Sequence, residues 1–189
     1  MTNRREFLHG AAAIVAAPLA AGAAVPAARQ AGFNTVLIDT RHAPARAFGA
    51  DLEGYGATVV GLPDGDITAA WVSRIHPAWK RARISLAGLT EQPALFCLEQ
   101  LAFGHGLRVV FHGEHVLLPD GPARHRICRG APEVAALLQG SGAQWPHRLA
   151  QSLAAWRPPT GVRFGPSEAA MAPALPTRAR RLMSWMISA

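Results

Sequence analysis

The 189-residue chain predicts an α/β fold, a three-layer sandwich whose mainly parallel sheet is extended by an antiparallel hairpin or meander. Three observations carry that expectation. Short β-rich apolar runs alternate with helical stretches from Asn34 to about residue 107, the pattern of successive strand–helix–strand units. Gly and Pro punctuate the joins, at Gly54 and Gly56, at Pro63 and Gly65, and at Gly104 and Gly106. Beyond Arg108 the alternation stops, and two strand-like runs stand only two residues apart.

The elements follow in order. Residues 35–39 (TVLID) form a continuous apolar run ending in a polar cluster, which reads as a buried strand. A helix is expected over about 45–55 and a second strand over 57–62. After the turn at Pro63, Asp64 and Gly65, either Asp66 or Thr68 can cap a helix carrying Trp71, Val72 and Ile75, which Pro77 ends or kinks. Residues 83–88 are a third strand. Thr90 stands where an N-cap belongs, ahead of a helix over 94–103 that is apolar almost all round, holds Cys97, and should pack on two sides. The runs 108–112 and 115–118 flank Gly113 and Glu114, a type II′ hairpin signal, and 124–128 offers a third antiparallel strand. Short helices are expected over 132–139 and 146–156, which closes a single α/β domain at 29–156. Residues 157–176 hold five prolines and read as a linker or surface strap, and 177–189 read as a basic, then apolar, C-terminal helix.

Residues 1–28 have a different character. Arg4 and Arg5 precede Phe7 and Leu8, and residues 10–24 form an alanine-rich, mildly apolar run broken by Pro18. A basic start, a short apolar stretch and small residues at a cut site make the secretory pattern. With two arginines, one variable residue and then Phe-Leu, the segment resembles the twin-arginine (Tat) export signal of bacteria, departing from it at Asn3 and His9. The resemblance implies a passenger that folds in the cytoplasm, crosses the membrane folded and ends in the periplasm. Such passengers are often cofactor-bearing redox proteins or their companions. Small residues would suit cleavage after Ala23 or after Ala27. No stretch of 18 or more strongly apolar residues offers a permanent membrane span.

The net charge of +7 suggests nucleic acid until it is located. Residues 29–120 carry eight Lys+Arg against nine Asp+Glu, whereas residues 121–189 carry nine Arg against two Glu. The excess therefore belongs to the C-terminal third. Outside the cytoplasm it points away from nucleic acid and toward an acidic partner protein, or toward anionic lipid through 177–189. Two cysteines exclude a disulfide scaffold, and the chain has neither a Cys-x-x-Cys pair nor a glycine-rich nucleotide loop. No cofactor is assigned by any motif.

In open α/β sheets ligands bind beyond the carboxyl ends of the strands. Those ends carry Asp39, Arg41 and His42, then Asp64 and Asp66, then Thr90. Arg41, Asp66 and Thr90 are the expected ligand-binding residues, Arg41 acting with helix amides on a carboxylate or phosphate. Asp39, Arg41 and His42 are the catalytic candidates, with Asp39 orienting its neighbours or acting as a general base. His112 and His115 should face one another across the hairpin, where two imidazoles can share a metal. Arg41 with His42 after a strand, and Val110 to Gly113 later, are similar to the two histidine signatures of the histidine phosphatases. That resemblance implies His42 as nucleophile and Arg41 as phosphate clamp, and it departs at Ala43, where Gly belongs. The expected function is an exported ligand-binding or accessory protein beside an exported redox system. The alternative is a small hydrolase or phosphatase-like enzyme using Asp39, Arg41 and His42.

Overall fold

Val36, Leu37 and Ile38 are all buried, so the first apolar run is a strand covered on both faces, β1 (Thr35–Asp39). The computed structural model describes residues 32–119, 121–158 and 178–189; the export-like segment and most of the proline-rich strap lie outside them. β1 pairs in parallel with β2 (Thr58–Leu62) on one side and β3 (Leu86–Thr90) on the other. α1 (Ala43–Gly54) joins β1 to β2. From β2 to β3 the chain runs through α2 (Thr68–Ala70), a π-helical turn (Trp71–Ile75) and α3 (His76–Arg81). Pro77 does not stop this stretch. It has no N–H to donate backwards, and the wider π turn just ahead of it lets the helix resume with proline in its first turn.

After α4 (Gln92–Gly104) the expectations need correcting. β4 (Arg108–Leu117) is one unbroken strand, so Gly113 and Glu114 lie inside it and make no hairpin turn. Its antiparallel neighbour is β5 (Arg124–Arg129), at the edge of the sheet. The C-terminal segment is not a helix. It forms β6 (Arg180–Ser188), inserted between β3 and β4 and antiparallel to both. The sheet order is β2-β1-β3-β6-β4-β5, with two parallel and three antiparallel pairings, so the sheet is open and mixed and not mainly parallel. The cause is the run from Leu182 to Ile187, which is buried at every position. A helix needs one polar face, whereas a strand covered on both sides takes consecutive apolar residues. The sheet therefore takes in residues 180–188, beyond the expected bounds of 29–156. With those apolar residues inside the sheet, the amphipathic helix expected to touch an anionic membrane does not form. Among the described residues no helix is long and apolar enough to cross a membrane.

Successive strand residues alternate between two apolar clusters. Ile38, Leu89 and Met186 join Phe48 of α1, Leu138 of α5 (Glu133–Gln139) and Leu149 of α6 (Trp145–Ala155). Leu37, Val109 and Trp185 join Ile75, Trp79 and Leu98 in the other. Trp185 stands opposite Gly88 of β3, and its ring fills the space that a Cβ on Gly88 would need. The indole N–H donates to Thr90 Oγ1 at 3.1 Å, so the largest buried side chain leaves no polar atom unsatisfied. α4 buries one face only. Phe96 and Phe103 are 59% and 66% exposed, and Cys97 and Cys128 are exposed free thiols, so Cys97 is not the buried packing residue expected.

One polar group sits inside the first cluster. Ser184 of β6 lies 2.7 Å from His115 Nε2, whose Nδ1 lies 2.8 Å from His125 Nδ1, and both rings pack on Trp145. Burial, and then the neighbouring His125 and His112, hold His115 well below the ordinary histidine range; burial takes His125 down to about 4. The folded protein therefore keeps both rings neutral, while the unfolded chain takes up protons below a pH of about 6.5. Stability should be steady above that pH and fall as the pH drops toward 4. Urea midpoints measured from pH 7.5 to 4.5 check this. The midpoint should decline through the interval and decline less in His125→Asn; a flat profile refutes the assignment.

Candidate functional site

β1 and β3 are adjacent, yet the helices that follow them diverge: α1 packs into one apolar cluster and α4 into the other. Such a divergence opens a crevice at the carboxyl ends of the two strands. Asp39, Arg41 and His42 arrive there from β1, and Glu91 arrives from the end of β3. α1 and α4 both begin at this point, each with a proline in its first turn and no side-chain cap.

Asp39 anchors the cluster. Its carboxylate is wholly buried and accepts from Arg41 Nε at 2.9 Å, from Arg41 Nη2 at 2.6 Å and from the Arg41 backbone N–H at 3.2 Å. Arg41 Nη2 also donates to Glu91 Oε2 at 3.1 Å. His42 Nε2 lies 2.9 Å from Glu91 Oε1 and 3.8 Å from Asp39 Oδ2. The turn after β2 closes over the guanidinium. Gly65 has φ +73° there, and a Cβ would overlap Arg41, so glycine serves both the backbone and the contact. Burial alone pushes the Asp39 carboxyl up. The hydrogen bonds and charge of Arg41, with the charge of His42, outweigh burial and hold it below the usual carboxylate range. Arg41 is in turn held more firmly protonated, first by its bond to Asp39. Asp39 is thus firmly ionised and hydrogen-bonded to Arg41, a geometry that suits the orienting role, one of the two expected for it.

Asp39, His42 and Glu91 each offer one ligand atom within 4.8 Å of the others, a spacing compatible with a metal ion. Arg41 already bridges the two carboxylates as their cation. Each helix N-terminus adds about half a positive charge. Two carboxylates, one guanidinium and two helix ends therefore leave the crevice close to electrically neutral while dense in hydrogen-bonding groups.

The structure brings Asp39, Arg41 and His42 together, as expected, and adds Glu91, which sequence reasoning passed over. β3 runs one residue further than the apolar pattern, so Glu91, and not Thr90, is the N-cap of α4. Thr90 is buried, its hydroxyl accepting from Trp185 and donating to the Glu91 carbonyl at 3.1 Å. Asp66 is committed to Thr68, accepting from its N–H at 2.9 Å and its hydroxyl at 2.7 Å, and those bonds lower its pKa. Neither side chain hydrogen-bonds to a side chain of the cluster. His112 and His115 do not share a metal. They sit three residues apart on one strand and so on opposite faces, His112 beside Trp185 and His115 against Ser184 and Trp145. Burial and the nearby Arg129 hold His112 below its ordinary pKa.

Comparison with protein-family models, with curated proteins and with solved structures gives no significant match to this chain.

Removing Arg41 leaves a buried carboxylate without its counter-charge. Arg41→Gln should lower stability at pH 7 by about 2 kcal/mol, below the scale for a fully buried pair because the guanidinium is half open to water. The Asp39 carboxyl should rise, because burial is then opposed only by the backbone N–H of residue 41 and the charge of His42. Arg41→Lys should rescue little, since an ammonium cannot reproduce the two-pronged contact. Urea unfolding and a carbon-13 titration of Asp39 check both; an unmoved Asp39 titration contradicts the account.

Proposed function

We propose that this chain is a small exported α/β protein, built as three layers, that binds a small molecule and serves as a ligand-binding or accessory component beside an exported redox system. The observation that carries the binding reading is the rigid Asp39–Arg41–Glu91–His42 cluster at the divergence of β1 and β3. Asp39 pins Arg41, which keeps 42% of its side chain exposed, so the guanidinium is presented to solvent in one orientation. Export rests on Arg4, Arg5, Phe7 and Leu8, and an acidic protein partner, with no role for nucleic acid, rests on the arginines of residues 121–189. Native mass spectrometry of protein isolated from the periplasm tests the reading. A bound small molecule or a stoichiometric partner should accompany the wild type, and the bound molecule should be lost in Arg41→Gln. A bare monomer in both samples sinks it.

A second reading, a small hydrolase, is favoured by the 2.9 Å approach of Glu91 Oε1 to His42 Nε2. A carboxylate that orients an imidazole prepares it to take a proton from water. Generic phosphate and ester substrates should then be turned over by the wild type and not by His42→Ala or Arg41→Ala. Turnover surviving both substitutions would remove these residues from the chemistry.

A further inference from the structure

We infer that the outer border of β2 docks a second copy of this chain, the two β2 strands pairing antiparallel about a two-fold axis at Val60. The sheet has two borders, and they are built differently. β5 carries Arg124, Arg126 and Arg129, whereas β2 (TVVGL) carries neither a charged residue nor a proline. Charges and prolines are common devices that keep a sheet border from pairing. Among the described residues no strand pairs with the outer border of β2. Its inner border is committed to β1 and its ends. The Thr58 N–H donates to the Asn34 carbonyl at 2.7 Å, and the Leu62 carbonyl accepts from the Thr40 N–H at 3.2 Å. Backbone groups alternate in direction along a strand, so those of Val59 and Gly61 point outward. With the axis at Val60, Val59 of each copy stands opposite Gly61 of the other. Each such pair exchanges both of its N–H···O=C bonds, and Thr58 faces Leu62 at the ends.

The charges of α1 identify the occupant. α1 lies over β1 and β2, with Gly49 facing Ile38 of one and Val59 of the other. α6 packs between α1 and α5, and α5 lies on β5, so α6 takes the flank of α1 that looks toward the middle of the sheet. On that flank Asp51 meets His147 of α6 at 2.6 Å. At about 100° per residue, Arg46 and Glu53 fall within about 20° of one another and about 150° from Asp51. They therefore share the opposite flank, beside the open border of β2. Both are exposed, and among the described residues neither side chain has an ion-pair partner. Arg46 donates to the Thr40 carbonyl at 2.6 Å, at the Leu62 end of β2. The Leu52 carbonyl accepts from the Ala57 N–H at 3.0 Å, which sets Glu53 at the Thr58 end. An axis that brings Thr58 against Leu62 thus brings Glu53 of each copy against Arg46 of the other. The midpoint of Arg46 and Glu53 falls at Gly49 and Ala50, level with Val59, so one axis serves strand and helix alike. It sets the two α1 helices about two strand spacings apart, roughly 10 Å, an ordinary distance for packed helices. Such a patch is complementary to itself, as a closed dimer requires. The product is one continuous sheet of two six-stranded halves, with the two crevices at opposite ends.

Sedimentation velocity of the full chain tests this and should show a dimer that grows with concentration. Arg46→Glu sets like charges against one another twice and should raise the dissociation constant by about 10-fold, the scale of two surface ion pairs lost and reversed. Adding Glu53→Arg to that variant rebuilds both pairs in the opposite sense and should bring the constant back to within about 2-fold of wild type. Val59→Pro removes an outward N–H and leaves the ladder to β1 intact, so the folded variant should be monomeric. Should it fail to fold, the charge exchange decides alone, because residues 46 and 53 are exposed. A wild type that stays monomeric at every concentration overturns the proposal, whether the border remains open or the chain's own first residues take it. A dimer indifferent to Arg46→Glu, or persisting in folded Val59→Pro, places the contact elsewhere and overturns it as well. Weakening by Arg46→Glu that the double exchange does not reverse overturns the reciprocal pairing of the α1 helices.

Discussion

The sheet is held together by its last strand. β1, β2 and β3 form one parallel block, β4 and β5 form an antiparallel pair, and the two blocks share no ladder with one another. β6 supplies both missing ladders, to β3 on one side and to β4 on the other. Its grip is steric as well as hydrogen-bonded, because Trp185 occupies the space left by Gly88 and anchors its indole N–H on Thr90. Thr90 is the last residue of β3, immediately before Glu91. The packing of the C-terminal strand thus reaches the crevice directly, through the residue that precedes one of its four side chains.

Much of the first half was legible from local pattern, because each of its elements buries what its own neighbours in sequence prescribe. The run 35–39 is apolar throughout and becomes a strand buried on both faces; Gly54 and Gly56 bracket the end of α1. The failures share one cause, a partner distant in sequence: without it a covered strand at 182–187 cannot be told from a helix, nor a charged strand residue at Glu114 from a turn. Residues 182–187 and the stretch through Gly113 and Glu114 both depended on a partner far away in sequence. Glu114 inside β4 meets Arg126 of β5 at 2.6 Å and Arg181 of β6 at 2.5 Å, a pairing that lets a charged residue lie within a strand and that no local reading could supply.

The crevice shows the same division. Asp39, Arg41 and His42 were visible because they fall within four residues at the end of β1, where polar residues after an apolar run stand out. Glu91 required knowing that β3 lies beside β1, and its position after Thr90 was masked by the better capping chemistry of threonine. Thr90 itself illustrates how a polar side chain at a strand end can be drawn into the core: it is buried, its hydroxyl accepts from the indole of Trp185 and its one proton goes to the Glu91 carbonyl. Asp39 is the mirror case. Burial that would usually suppress its charge is overridden by Arg41, so it stays ionised and holds the guanidinium in place.

The outermost strand gives the basic C-terminal third a physical meaning of its own. β5 closes one border of an open sheet, and the border of a sheet is a row of unsatisfied amides and carbonyls onto which another chain can add. Arg124, Arg126 and Arg129 are strung along that strand, with Arg124 and Arg126 exposed. When two copies approach border to border, the exposed Arg124, with the outer part of Arg126 beyond its bond to Glu114, meets the same side chains of the other copy before the backbones can join. The positive charge that first suggested a binding partner thereby also insulates the molecule from itself, discouraging ribbon-like growth at high local concentration.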